Sequence, residues 1–246
     1  MSHSPIRLTF SGLTDVGLQR SANQDCYYLN EEGSLFIVAD GMGGHVGGQE
    51  ASRIATDAIR TYIETNKNTD QSTASLLEEA IGTANDAILA DQAAHPERAD
   101  MGTTVVVLLV RERQFWCAHV GDSRLYLRRE SEFFQITQDH TWVTRALKDG
   151  SLTPEQSHCH PWRHVLSQCV GREDLNPIET RSVEIKSGDQ LLLCSDGLTE
   201  ELADDAIMTC LQQSNTCEEQ VSMLVEAAKA QGGRDNITVV VIAAHD

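Results

Sequence analysis

Nowhere does the sequence run apolar for the ~20 residues that a membrane-spanning helix takes. Its first residues, Met1 to Arg7, are polar and hold no apolar signal core. Cys-x-x-Cys pairs are absent as well. The seven cysteines are scattered at irregular spacing, which fits buried free thiols in a reducing compartment rather than a disulfide framework. Positive charge is scarce: 19 Lys and Arg stand against 37 Asp and Glu, for a net charge of -18. So acidic a surface argues against general nucleic-acid binding and against attachment to anionic membranes. There is no internal repeat, no low-complexity tract and no linker. A hydrophobic share of 40% over 246 residues still allows a substantial core. The expectation is a single domain over residues 1–246, soluble and cytoplasmic, a monomer without nucleic-acid or membrane partners.

What is present centres on Phe36-Ile37-Val38-Ala39-Asp40-Gly41-Met42-Gly43-Gly44-His45. A short apolar run bounded by turn residues reads as a strand buried on both faces. Its aspartate then emerges at the end of a rigid element, and Gly41 lets the backbone approach whatever Asp40 binds. Asp-Gly between apolar runs is also a hairpin signal, and for this stretch alone a plain turn explains it as well. The same grammar recurs as Leu191-Leu192-Leu193-Cys194-Ser195-Asp196-Gly197 and as Trp116-Cys117-Ala118-His119-Val120-Gly121-Asp122-Ser123. A mirrored version, Gly232-Gly233-Arg234-Asp235-Asn236, precedes the apolar run Ile237 to Ala244. Carboxylates converging at strand ends repel one another without counter-charge. A hard divalent cation with oxygen ligands, Mg2+ or Mn2+, supplies it.

Taken in order, the chain predicts a strand at Leu8 to Thr14, then a polar stretch, Asp15 to Asp25, that carries Arg20. As a surface arginine Arg20 needs no role; as a guanidinium aimed at an oxyanion it suits bidentate phosphate contact. A hairpin follows, Cys26 to Asn30 with Leu35 to Ala39. Gln49 to Thr65 reads as a helix on the stripe Ala51, Ile54, Ala55, Ala58, Ile59, Tyr62 and Ile63. A second helix starts at a capping box, Ser75 to Glu78. Strands at Thr103 to Val110, Phe115 to Val120, Arg124 to Arg129 and Glu132 to Thr137 have short connections that predict antiparallel neighbours. Glu179 to Ile185 and Asp189 to Ser195 read as a further pair joined at Lys186-Ser187-Gly188. Helices are predicted at Asp204 to Gln213 and from Thr216, with a last strand at Ile237 to Ala244. Between the strand pairs, Gln138 to Asn176 is irregular and rich in His, Gln and Asp, and is read as a flap beside the site. Its His158, Cys159, His160 and His164 would be zinc ligands only at a spacing that matches no standard pattern. Strands and helices in separate runs point to α+β, with stacked antiparallel sheets flanked by helices.

In this order, Arg20-x-x-Asn23-Gln24-Asp25, Val38-Ala39-Asp40-Gly41-Met42-Gly43-Gly44, Val120-Gly121-Asp122-Ser123-Arg124, Cys194-Ser195-Asp196-Gly197 and Gly233-Arg234-Asp235-Asn236-Ile237-Thr238 resemble the motifs of the metal-dependent serine/threonine protein phosphatases of type 2C. The match runs from near the first strand to the last. The chain is similar to the compact bacterial members and, among them, to cyanobacterial phosphatases of the PII nitrogen-signalling protein. The resemblance implies an α+β fold, a central antiparallel β-sandwich flanked by helix pairs in four αββα layers, with a metal centre at one edge. It implies hydrolysis of phosphoserine and phosphothreonine in phosphorylated protein substrates, with two Mg2+ or Mn2+ ions and a third in some bacterial members. On this resemblance Asp40 bridges the two metals, the Gly41 carbonyl joins the second, and Asp196 and Asp235 hold the first. Asp122, with Asp196, is a ligand of the third. Asp25 orients the water beside the centre and Arg20 receives the substrate phosphate, so these two are the catalytic candidates.

Elementary chemistry suits those assignments. Phosphomonoester hydrolysis is extremely slow without catalysis. Two metals about 3.5–4 Å apart can share a water and make it a nucleophile at neutral pH, and they screen the phosphate during in-line attack. No cysteine nucleophile is required, and a Cys-x5-Arg loop is absent: Arg163 follows Cys159 and Arg172 follows Cys169 at other spacings. Two positions depart from the family pattern. Met42 stands where animal relatives often have a histidine proposed as general acid. This leaves leaving-group protonation to water at the metals or to another residue, with His45 a further candidate. Gln24 stands where relatives often carry Glu, one charge fewer beside the metals. Two other functions are weighed: a non-catalytic metal-stabilised phosphoprotein-binding module, and a receiver-type phosphoacceptor, which needs the alternating βα units that Arg111 to Thr137 does not show.

Overall fold

The alternation of side chains along two strands defines the layers. The computed structural model describes residues 6–158 and 160–246, the side chains of His45 and His158 excepted. In order, the elements are β1 (Arg7–Asp15), β2 (Asp25–Leu29), β3 (Leu35–Met42), α1 (Gly44–Asn66), α2 (Thr73–Ala94), β4 (Gly102–Thr103), β5 (Val105–Arg111), β6 (Gln114–Val120), β7 (Arg124–Arg129) and β8 (Glu132–Gln135). They continue with α3 (Trp142–Lys148), α4 (Pro154–His158), β9 (Thr180–Val183), β10 (Gln190–Cys194), α5 (Asp196–Thr199), α6 (Asp204–Gln213), α7 (Cys217–Gln231) and β11 (Ile237–His245).

On β3, Leu35 and Ile37 face the stripes of α1 and α2, whereas Phe36 and Val38 face the other sheet. On β11, Ile237, Val239 and Val241 pack against α6 and α7, whereas Val240 and Ile242 face inward. The period of two along a strand therefore feeds one core between the sheets and one under each helix pair. One sheet runs β1-β11-β10-β7-β8 and the other β2-β3-β5-β6-β9, all neighbours antiparallel, with β4 paired to the end of β3. The α+β sandwich between helices is thus as expected. Among the described residues no helix is long and apolar enough to cross a membrane.

Two element starts and two strand pairings stand out against the sequence reading. First, α1 begins at Gly44, not Gln49, because its first turn is built of glycines and small residues that carry no apolar stripe. Second, the cap of α2 is Ser72, whose hydroxyl accepts from the Ser75 amide; Ser75 instead donates its hydroxyl to Glu79. Third, β6 and β7 are consecutive but lie in different sheets, so Gly121-Asp122-Ser123 is a crossing between layers rather than a hairpin. Fourth, β9 and β10 do not pair. Both edges of β10 are taken by β7 and β11, and β9 joins β6 in the other sheet. The turn between them is held by Asp189, which is 2% exposed and accepts from the Lys186 amide and from Arg129.

The segment between β8 and β9 carries α3 and α4. Its base is closed by bridges from Thr141 to Leu166 and from Thr103 to Val170.

Candidate metal centre

Asp25 and Asp40 are direct cross-strand partners on β2 and β3. Like charges placed opposite each other destabilise a sheet pair, so this register favours a counter-charge or a shared proton. Asp40 is set at the mouth of β3 by its backbone, whose amide donates to the Thr104 hydroxyl and whose carbonyl accepts from the Thr104 amide and the Thr103 hydroxyl. Asp122 projects from the crossing between β6 and β7. Asp196 opens the short helix α5 directly after β10. Asp235 precedes β11. Chain segments far apart in sequence thus deliver Asp40, Asp122, Asp196 and Asp235 to one open cleft of about 890 Å3, which Arg20, Gly41 and Met42 also line.

The charge of this cluster is only partly offset, by Arg20 on Asp235. Burial pushes the Asp25 and Asp196 carboxyls up to about 7, with Asp196 adding to the rise at Asp25 and Glu200 to that at Asp196. Burial, then the neighbouring carboxylates, hold Asp40 and Asp122 well above the usual carboxylate range. Asp25 Oδ2 accepts from the Ser195 hydroxyl at 2.7 Å, yet Asp25 Oδ1 and Asp196 Oδ1 are buried without a hydrogen-bond partner. Buried polar atoms are normally satisfied. Orphaned carboxylate oxygens among crowded acids fit a hard divalent cation with oxygen ligands, and so does the donor set as a whole.

Gly41 is required here for space. A Cβ on it would lie 1.9 Å from the Gly48 carbonyl oxygen and 2.7 Å from that of Gln24. Gln24 knots the surrounding loops. Its carbonyl accepts from the Gly41 amide and the Ser52 hydroxyl, its amide N–H donates to Asn236, and its side chain donates to the Gly44 carbonyl. The last bond needs an amide; a glutamate at this position could not donate it. Asn236, 4% exposed, accepts from Gln24 and donates to Val16 and Ala22, fixing the loop that carries Arg20.

Arg20 does not stand free. Its guanidinium donates to Asp235 Oδ2 at 2.6 Å, a pair that raises the arginine pKa. That guanidinium is thus spent on a candidate ligand, which a sequence reading of either residue could not foresee. Three further groups at the cleft were missed: Glu200, Arg172 and the role of His164. His164 Nδ1 contacts Glu200 Oε1, and the ligand atoms of His164, Asp196 and Glu200 lie within 4.8 Å of one another. The signal for Glu200 was its position four residues after Asp196, on one helical face. The zinc grouping of histidines does not survive for the described residues, because His160 stacks on Trp142 at 4.7 Å while His164 turns to Glu200. The side chains of His45 and His158, and Cys159, lie outside the described residues.

Residues 19–231 match the family model described as protein phosphatase 2C. The chain belongs to the protein phosphatase 2C family. It is 36% identical over 245 residues to protein phosphatase PhpP of Streptococcus pneumoniae, covering 97% of this chain and 98% of that one. It is 35% identical over 241 residues to serine/threonine protein phosphatase PstP of Mycobacterium tuberculosis, covering 98% of this chain but 46% of that one. The chain thus spans about half the length of the PstP relatives it matches. Among solved structures it resembles a protein phosphatase 2C relative, the catalytic domain of PstP in complex with two manganese ions, with a TM-score of 0.85, 33% identity, and coverage of 98% of this chain and 99% of that one. It also resembles Stp1 from Staphylococcus aureus, with a TM-score of 0.86, 30% identity, and coverage of 99% and 98%.

Proposed function

We propose that the protein hydrolyses phosphoserine and phosphothreonine in proteins, with two Mn2+ or Mg2+ ions in the cleft. The observation that carries this reading is the meeting of Asp40, Asp196 and Asp235, from three distant segments, in one cleft with Arg20. Asp40 would be shared between the ions, Asp196 and Asp235 would hold one, the Gly41 carbonyl would face the other, and Asp122 with Asp196 would serve a third. Bound there, the ions supply a nucleophile from water at neutral pH and neutralise phosphate charge.

The chain's own residues do the rest. Asp25, which accepts from the Ser195 hydroxyl, would orient that water. Arg20 receives the phosphoryl oxygens, for which its contact with Asp235 must open. Met42 lines the cleft and carries no proton to give, so the leaving alkoxide draws its proton from water or from another residue of the cleft. The flap, with His164, Leu166 and Cys169 on the cleft wall, is the part that meets the protein around the phosphoresidue. Exchanging residues 139–171 is expected to change activity toward phosphoproteins more than toward aryl phosphates, and equal losses on both would count against that role. We take the protein to act in signalling, in the cytoplasm and as a monomer. Six free cysteines among the described residues support a reducing compartment, and size-exclusion chromatography tests the monomer.

The test is hydrolysis of an aryl phosphate with added Mn2+, compared with Asp40→Ala. Activity should require the metal and vanish in the variant. Metal-independent turnover of equal size would sink the mechanism. Retention of a phosphopeptide without release of phosphate would favour a binding module instead.

A further inference from the structure

The crossing that carries Asp122 has lost its strand neighbours. Pairing of β6 with β9 ends at Ala118 and with β5 at Val120. The backbone groups of Gly121 would therefore be orphaned, yet both are met by one residue of the flap base. The His140 amide donates to the Gly121 carbonyl at 2.9 Å, and the Gly121 amide donates to His140 Nδ1 at 3.2 Å. An imidazole nitrogen thus stands in for a ladder carbonyl, and the ring must keep Nδ1 unprotonated to do so. His119 holds the ring from behind, stacked at 4.5 Å between centroids, with its own Nε2–H donating to the Gln138 carbonyl at 2.8 Å. On its other side the His140 carbonyl accepts from the Ser167 amide at 2.8 Å, on the limb of the flap that leads to the cleft wall.

We propose that His140 is a positioning residue that couples the base of the flap to Asp122, so that divalent cation binding at Asp122 and the setting of the flap are linked. This rests on the reading of Asp122 as a cation ligand. Groups that orient a ligand are worth about 10–100-fold in metal affinity.

The test is aryl phosphate hydrolysis across Mn2+ concentration for the wild type, His140→Asn, His140→Phe and Asp122→Asn. Phenylalanine keeps the stack and the bulk but cannot accept from Gly121, whereas the asparagine Oδ1 can replace Nδ1. His140→Phe should raise the half-saturating Mn2+ concentration about tenfold, with His140→Asn within about twofold of the wild type. Equal impairment of the two variants, or no change in His140→Phe while Asp122→Asn shifts, would overturn the inference alone. No shift in Asp122→Asn would overturn the reading of Asp122 and the inference with it. Apart from activity, titration of the wild type with Mg2+ should move the Gly121 and Ser167 amide resonances together; movement of Gly121 without Ser167 would refute the coupling, whether or not His140→Phe folds.

Discussion

Gly41 has no room for a side chain, and the cost of one can be stated. Its Cβ would meet backbone, the Gly48 carbonyl at 1.9 Å, rather than a flexible group that could step aside. Gly41→Ala should therefore lose about 1–3 kcal/mol of stability, as overpacking does, together with Mn2+-dependent activity. Urea unfolding checks the first, and unchanged stability would show that the turn relaxes freely. The histidine pair makes a second residue-scale prediction. Burial, then the neighbouring His119, pulls the His140 imidazole down to about 4, below the ordinary value of about 6.5. As pH falls, the unfolded chain takes up this proton first. The stability owed to the neutral ring is thus present above about 6.5 and lost toward about 4. The difference in unfolding free energy between wild type and His140→Asn should shrink across that window, and a difference independent of pH would show an ordinary ring.

At the scale of elements, local sequence signals fared unevenly for reasons that differ. The stripe of α1 names its buried face, since Ala51, Ala55, Ile59 and Ile63 are all in the core, but it is silent about a first turn made of glycine. For α2 two serines three apart both suit a cap, and only the structure selects Ser72. Ser72→Ala should cost about 1 kcal/mol and Ser75→Ala less than about 0.5 kcal/mol in thermal or urea unfolding; the reverse order would reassign the cap. Strand pairing is the least local property. The sequences around β9 and β10 look like a hairpin, yet β10 is buried on both edges and β9 is a half-exposed edge strand. The segment between β8 and β9 stands out in the sequence by its composition, whereas its attachment through His140 and Ser167 does not.

For the whole molecule, the crowding of acids at one edge is a stability liability that cations remove. In chelator-treated protein, Asp25 and Asp196 hold protons up to about 7, above the ordinary aspartate value of about 4. The folded state then binds more protons than the unfolded one, so this contribution is present at low pH and is lost as pH rises through about 7. The midpoint of thermal unfolding in chelator should fall as pH rises from about 4 to about 7. Mn2+ at about 100 times its dissociation constant should add about 2.7 kcal/mol, and Asp40→Asn should lose most of that gain. Scanning calorimetry reads both, and a midpoint indifferent to Mn2+ at neutral pH would contradict the metal centre.

The order of the motifs, the buried strands that end in aspartate and the helix stripes are local patterns of type and spacing, so the chain by itself determined the fold class and the identity of the acids. Which strands are neighbours across each sheet, that Arg20 lies on Asp235, and that Glu200 and His164 join the cleft were decided by tertiary structure. Each depends on contacts between segments more than thirty residues apart or on a choice among partners that only a closed sandwich makes.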